Sequence, residues 1–227
     1  MNDFTSLDFQ AGEVILIDKE KGVSSFGAVY KLRKIINVKK VGHAGTLDPA
    51  ATGLLIMCTG KMTKQIYKYQ DSDKTYTGII SLGKTTASMD GETDFATESS
   101  IDGISENMIM ETRDKFVGDC LQIPPMYSAL KHDGKRLYKL AREGREVERK
   151  PRQITIHSFK IEKIELPDVY FKINCSKGTY LRVIADDFGK HLGCGAYLKS
   201  LRRTAIGEYS VENAFTLDEL RGKLEAN

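Results

Sequence analysis

One aspartate in this 227-residue chain sits in a setting suited to chemistry. Asp48 lies in Gly42-His-Ala-Gly-Thr-Leu-Asp-Pro-Ala-Ala-Thr-Gly53. Pro49 biases the residue before it away from helix, and Gly42, Gly45 and Gly53 permit tight turns and close approach by another molecule. Such a loop can present one carboxylate outward at a fixed angle. Asp-Pro also starts many ordinary turns, and the local sequence by itself favours that plainer reading. His43 nearby invites an acid–base role, with a structural role equally open.

A second stretch, Gly78-Ile-Ile-Ser-Leu-Gly-Lys-Thr85, satisfies the phosphate-loop pattern as text, and Val14-Ile-Leu-Ile-Asp18 resembles a magnesium-binding strand. A phosphate loop needs a flexible interior and a helix whose N-terminus faces the phosphates. Here the interior is Ile-Ile-Ser-Leu, which prefers to be a strand. The residues after it, Thr86-Ala-Ser-Met-Asp-Gly-Glu-Thr-Asp94, are too polar and glycine-broken for a buried helix, and the order of the two elements is reversed. A nucleotide triphosphatase is therefore disfavoured.

Composition bounds the remaining classes. With 41% apolar and 29% charged residues the chain reads as an ordinary globular protein with one core, or one core and an appendage. No apolar run approaches the roughly 20 residues of a membrane span. The start, MNDFTSLDFQ, carries no secretory signal, so a cytoplasmic location is expected. Cys58, Cys120, Cys175 and Cys194 are too far apart for a Cys-x-x-Cys pair and read as buried thiols. The net charge of +3 hides segregation, with −7 across residues 71–121 and +5 across 122–152. The latter segment joins its cations to Tyr127 and Tyr138, a mixture that suits a nucleic-acid phosphate backbone and unpaired bases. Glu143, Glu146 and Glu148 interrupt the run, and a solvated helix is the competing reading.

The elements that must position these groups alternate without strict βαβ order. Glu13–Asp18 reads as a buried strand, and Ser24 or Ser25 as the N-cap of a helix running to about Ile36. Residues 41–53 read as a long loop and Leu54–Cys58 as a strand. Residues 61–70 look helical, Thr75–Leu82 strand-like, 83–103 a further strand with loops, and 105–117 helical. Ile154–Ile164 and Val169–Cys175 form a hairpin around Pro167-Asp168. A helix then carries Leu181, Ile184, Ala185, Phe188 and Leu192 on one face. The expected class is α+β around a mixed, mostly antiparallel central sheet flanked by helices.

Taken in order, several blocks resemble the TruB-type bacterial tRNA pseudouridine-55 synthases. They are Asp18-Lys19-x-x-Gly22-Val-Ser-Ser25, the Gly42–Gly53 loop, Gly60-Lys-Met-Thr-Lys64, Lys74-Thr-Tyr76 with Leu82-Gly83, Gln122-Ile-Pro-Pro125 through Ser128-Ala-Leu-Lys131, Gly178-Thr-Tyr-Leu-Arg182 and Leu201-Arg-Arg203. They cover about residues 13–210. The resemblance implies the pseudouridine synthase fold and a cofactor-free, metal-free isomerisation of uridine, with the ribose moved from N1 to C5.

By the same resemblance Asp48 is the catalytic aspartate, which adds to uracil C6 or captures C1′; the sequence leaves both routes open. Tyr76 is the active-site tyrosine, offering its ring to an extruded base, and Arg182 the arginine that holds Asp48 ionised. An exposed pair between Arg182 and Asp186 is the local alternative. Tyr180 and Leu201 line the uracil pocket. His43, Lys19, Lys64, Lys131 and Arg142 fall where RNA is bound.

Glu20 departs from the family by replacing a proline, and the chain stops soon after Thr216-Leu-Asp-Glu-Leu, where many relatives continue into another RNA-binding module. The expected organisation is one catalytic domain over residues 1–227, without that module, with a thumb-like basic insertion at 122–152. The expected partner is the T-arm stem-loop of tRNA, bound by a monomer without membrane or nucleotide cofactor. A noncatalytic RNA-binding protein or RNA chaperone is the competing class.

Overall fold

The computed structural model describes residues 7–226; the first six residues, part of the stretch read for a targeting signal, and residue 227 lie outside the described residues. In chain order the elements are β1 (Val14–Lys19), α1 (Ser25–Ile36), β2 (Val41–Ala44), β3 (Thr52–Thr59), a 3-10 turn at Gly60–Gln65, α2 (Ile66–Asp71), β4 (Lys74–Leu82), β5 (Lys84–Thr86) and β6 (Phe95–Glu98). There follow α3 (Glu106–Asp114), β7 (Gly118–Gln122), β8 (Lys131–His132), β9 (Lys135–Arg136), α4 (Leu137–Arg142), β10 (Arg152–Glu165), β11 (Asp168–Cys175), α5 (Leu181–Leu192), β12 (Ala196–Ile206), β13 (Tyr209–Ser210) and α6 (Leu217–Glu225). The class is α+β, and the central sheet is mostly antiparallel.

The chain divides into two compact units, one holding residues up to Thr77 and from Leu201 on, the other Gly78–Ser200. In the first, β3 pairs antiparallel with β1 and β2, and parallel with β12 at Arg202↔Thr52 and Arg203↔Gly53. α1 and α6 close one face over Ile15, Ile17, Val29, Leu32, Leu55, Met57 and Leu220. The Ser24 hydroxyl oxygen accepts from the Gly27 N–H at 2.9 Å, and Asn37 ends α1 in the left-handed conformation.

In the second unit β10 pairs antiparallel with both β11 and β7. Phe159 and Phe171 from this hairpin pack edge-on at 6.0 Å, and Phe188 of α5 and Phe116 complete the aromatic core. Each such ring contributes about 1.5–3 kcal/mol by leaving water. α5 lies close to the chain entering β12, because a Cβ on Gly189 would stand 2.1 Å from the Ala196 nitrogen.

Two expectations are corrected, and the rejection of a phosphate loop at 78–85 is borne out. Residues 41–53 are not loop throughout: Val41–Ala44 is a strand, because β3 offers it a free edge at His43↔Met57 and Ala44↔Ile56. The helix expected over 105–117 is shorter, capped by Ser105 and ended at Asp114. Residues 78–85 are not a phosphate loop; they run along β4, turn at Gly83, and enter the β5–β6 hairpin, where Lys84 pairs with Glu98 at 3.0 Å.

Candidate active site

In the first unit the Asp48 loop hangs between β2 and β3 and is held at several points. Its centre is Leu47, buried, whose carbonyl accepts from the Ser25 hydroxyl at 2.9 Å while its N–H donates back to that oxygen at 2.8 Å. The next turn closes through the Ala51 N–H on the Asp48 carbonyl, and the Pro49 carbonyl accepts from the Gly22 N–H at 2.8 Å. Asp48 itself is half-buried beside the anchored Leu47.

Lys19, expected to face RNA, is instead only 2% exposed. Its ammonium donates to the carbonyls of Val23 (2.7 Å), Glu20 (2.9 Å) and Pro49 (3.4 Å). Burial lowers its pKa to about 8, against the attraction of the Asp48 carboxylate, with Arg203 adding to the lowering. Lys19 therefore ties the loop to the end of β1 and places a positive field by Asp48.

Arg203, buried, holds the other end. Its Nε donates to the Leu54 carbonyl at 2.8 Å and its terminal nitrogen to Gly45 at 3.1 Å. Gly53 has a φ of 102°, and a Cβ there would lie 2.2 Å from the Arg203 carbonyl oxygen, so only glycine lets β12 approach this closely. Neighbouring Arg202 grips Asp18 bidentately at 2.9 and 2.6 Å.

His43 lies in β2. Its pKa is lowered, chiefly by burial and further by Arg203, although the Gly45 backbone opposes this. The imidazole is neutral near pH 7 and offers hydrogen bonds rather than charge. Tyr76, on β4 in the same unit, is buried, and Leu201 is half-buried. Lys64 is exposed.

In the second unit Arg182 is the second residue of α5 and is buried. Its guanidinium lies 3.7 Å from the buried carboxylate of Asp90 and over the Tyr180 ring at 6.0 Å. Asp90 is fixed in turn: its Oδ1 accepts from the Ser88 hydroxyl at 2.6 Å and the Glu92 N–H at 3.0 Å, and its carbonyl accepts from the Thr86 hydroxyl at 2.6 Å. Gln122 clamps Tyr180, accepting from its N–H at 2.8 Å and donating to its carbonyl at 3.2 Å. The exposed Arg182–Asp186 pair is not what forms: both residues are buried, and Asp186 holds Lys190 at 2.6 Å.

Residues 122–152 carry the small β8–β9 hairpin and α4, with Lys131 and Arg142 exposed and the Arg142 guanidinium 5.6 Å from the Tyr138 ring. Ser25, Arg203 and Asp90 were not singled out as site residues from sequence. Asp90 had a signal in Ser88-Met-Asp-Gly, where an Asp before Gly accepts from nearby backbone and hydroxyl groups.

The fold matches that of pseudouridine synthases. The chain superimposes on one from the crystal structure of a Cbf5-Nop10-Gar1 complex with a TM-score of 0.73 and 28% identity, covering 94% of this chain and 54% of that one. A chain in the structure of an H/ACA RNP bound to a substrate RNA containing 2′-deoxyuridine matches with a TM-score of 0.71 and 26% identity, again over 94% of this chain and 53% of that one. The chain thus spans about half the length of those solved chains.

It belongs to the TruB family of pseudouridylate synthases: the model of the family's N-terminal domain matches residues 33–181, and that of the tRNA pseudouridylate synthase B C-terminal domain matches 182–226. Among curated relatives, the tRNA pseudouridine synthase B of Flavobacterium johnsoniae is 47% identical over 220 residues, 94% of this chain and 96% of the relative. That of Chlorobaculum tepidum is 48% identical over 214 residues, 92% of this chain and 89% of the relative. No helix among the described residues is long and apolar enough to cross a membrane.

Proposed function

We propose that this protein isomerises uridine to pseudouridine in the T-arm loop of tRNA, at position 55, with Asp48 as the reacting group. The observation that carries the reading is the loop itself: Ser25, Lys19 and Arg203 spend buried polar groups on holding one half-buried carboxylate in place. A turn without a function needs no such investment, since each buried hydrogen-bonding group must be matched to avoid a penalty of about 1–3 kcal/mol.

The reaction balances without any outside reactant. The N1–C1′ bond breaks, a C5–C1′ bond forms, C5 releases its proton and N1 gains one. Asp48 as an anion adds to C6 of the uracil or captures C1′ after cleavage. The uridine must leave its stack to be reached. Tyr76 gives the extruded base a flat face and assists proton removal at C5, while Tyr180 and Leu201 line the pocket. Arg182 pairs with Asp48 in the reacting complex and keeps it ionised. His43, Lys64, Lys131 and Arg142 bind the RNA, the last two from the 122–152 segment acting as a thumb. The protein works as a monomer, in the cytoplasm, on the T-arm stem-loop.

The test incubates the protein with an unmodified tRNA transcript and maps pseudouridine by carbodiimide-blocked primer extension. A stop at the T-loop uridine is expected. Its absence beside an active control enzyme would falsify the reading.

A further inference from the structure

We infer that the outer face of α1 is a second RNA-contacting surface, on which Phe26 and Tyr30 stack with unpaired bases of a bound RNA while the surrounding lysines meet its phosphates. This rests on the proposed activity toward tRNA and extends it to a nucleotide other than the one that reacts.

The inner and outer faces of α1 do different things. Ser25, Ala28, Val29 and Leu32 are buried, and Ser25 holds the Asp48 loop. Phe26 and Tyr30, one turn apart on the opposite side, are 68% and 53% exposed. Two large rings on a solvated helix add nothing to the core. The Lys34 ammonium continues the stripe, 4.6 Å from the centre of the Tyr30 ring.

Charge decides what would cover this face. Residues 21–47 contain no Asp or Glu, and Lys21, Lys31, Lys34, Lys39 and Lys40 are all exposed. The sixth cation of this stretch, Arg33, is spent on the Val41 carbonyl at 2.8 Å. A groove continues from the stripe between α1 and α6, lined by Lys34, Ile35, Arg221, Leu224 and Glu225. Among the described residues, the acids toward this face include Glu20 before the helix, Glu225 in the groove, Asp218, which pairs with Arg221 at 3.8 Å, and Asp8 and Glu13 toward the Asn37–Lys40 end. Protein interfaces are depleted in lysine, whereas rings set among unpaired lysines match a single-stranded polyanion with π-faces.

The experiment compares wild type with Phe26→Ala/Tyr30→Ala and with Lys31→Ala/Lys34→Ala, all as full chains, on one unmodified tRNA transcript. Binding is measured by fluorescence anisotropy across a salt series, and conversion by single-turnover assay at saturating RNA. The aromatic pair variant should weaken binding by roughly tenfold or more, as loss of base stacking does, with an unchanged salt slope and saturating rate. The lysine variant should lower the salt slope by about one to two. Because it leaves the aromatic rings in place, it also reports if the first variant fails to fold. Unchanged affinity in both variants overturns the inference, as does a lost saturating rate in a folded variant. Loss of self-association or of binding to anionic vesicles, with tRNA affinity intact, overturns it too. Failure of the wild type to convert uridine at all would instead sink the proposed activity, so the two failures are distinguishable.

Discussion

The Ser25 hydroxyl and the backbone of Leu47 exchange two hydrogen bonds, one in each direction, at 2.9 and 2.8 Å inside the protein. Twenty-two residues apart in sequence, they join the first turn of α1 to the residue before the proposed nucleophile. The hydroxyl is one of few groups that can donate and accept at once at a single point, which makes the site unforgiving.

Ser25→Ala leaves both backbone groups of Leu47 without this partner. Stability should fall by about 1–3 kcal/mol in urea titrations. The single-turnover rate should fall more than tRNA affinity does, because the loop's aim suffers before its RNA contacts. Equal losses in affinity and rate would mean that the bond serves stability alone.

Gly53→Ala places a Cβ 2.2 Å from the Arg203 carbonyl oxygen at a φ of 102°. Neither partner is a flexible side-chain end, so the strand pairing must open. A loss of more than about 3 kcal/mol, or insoluble protein, is expected. A variant with wild-type melting temperature would show that β12 can shift at no cost.

Lys19 gives a pH signature. Burial lowers its pKa in the folded chain to about 8, whereas in the unfolded chain it titrates near 10.4. Between those values the unfolded state binds more protons, so this group makes stability rise with pH across the window from about 8 to 10. Below pH 8 both states are protonated and its contribution is flat. Urea titrations at pH 7, 8, 9 and 10 should show wild type gaining on Lys19→Met over the upper half of the range. Parallel curves would mean that the ammonium keeps its proton.

Asp90→Asn removes the charge that faces Arg182 while keeping its shape. A buried guanidinium beside a neutral amide loses one compensating charge, so stability drops and the guanidinium is held less firmly for its proposed role. The rate is expected to fall by roughly tenfold or more with less than about threefold change in tRNA affinity. Arg182→Lys should cost as much, since an ammonium lacks the planar fork. An Asp90→Asn rate within twofold of wild type would remove Asp90 from the account.

Much of this was legible in the chain. The caps of α1, the hairpin from β10 to β11, and the apolar stripe of α5 follow from local patterns. The resemblance placed Lys19 where RNA is bound, and its burial was not anticipated. Yet the two-residue alternation that buries Ile15 and Ile17 puts Lys19 on the same inner face, a signal present in the sequence. β2 was hidden because Val41 is the one strong strand former in Val-Gly-His-Ala, and the segment becomes a strand only through its partner β3. Arg203 was hidden because its role exists only where β12 meets Gly53, 150 residues earlier in the chain, a contact that no local pattern encodes.

The most direct test is single-turnover release of tritium from C5-labelled uridine in a tRNA transcript, comparing wild type with Asp48→Asn. C5 must give up its hydrogen when the ribose reattaches there, so release reports the isomerisation itself. The account predicts release by the wild type and none above background by Asp48→Asn, with tRNA binding within a few-fold of wild type. Release by a folded Asp48→Asn protein at a rate comparable to wild type would contradict it.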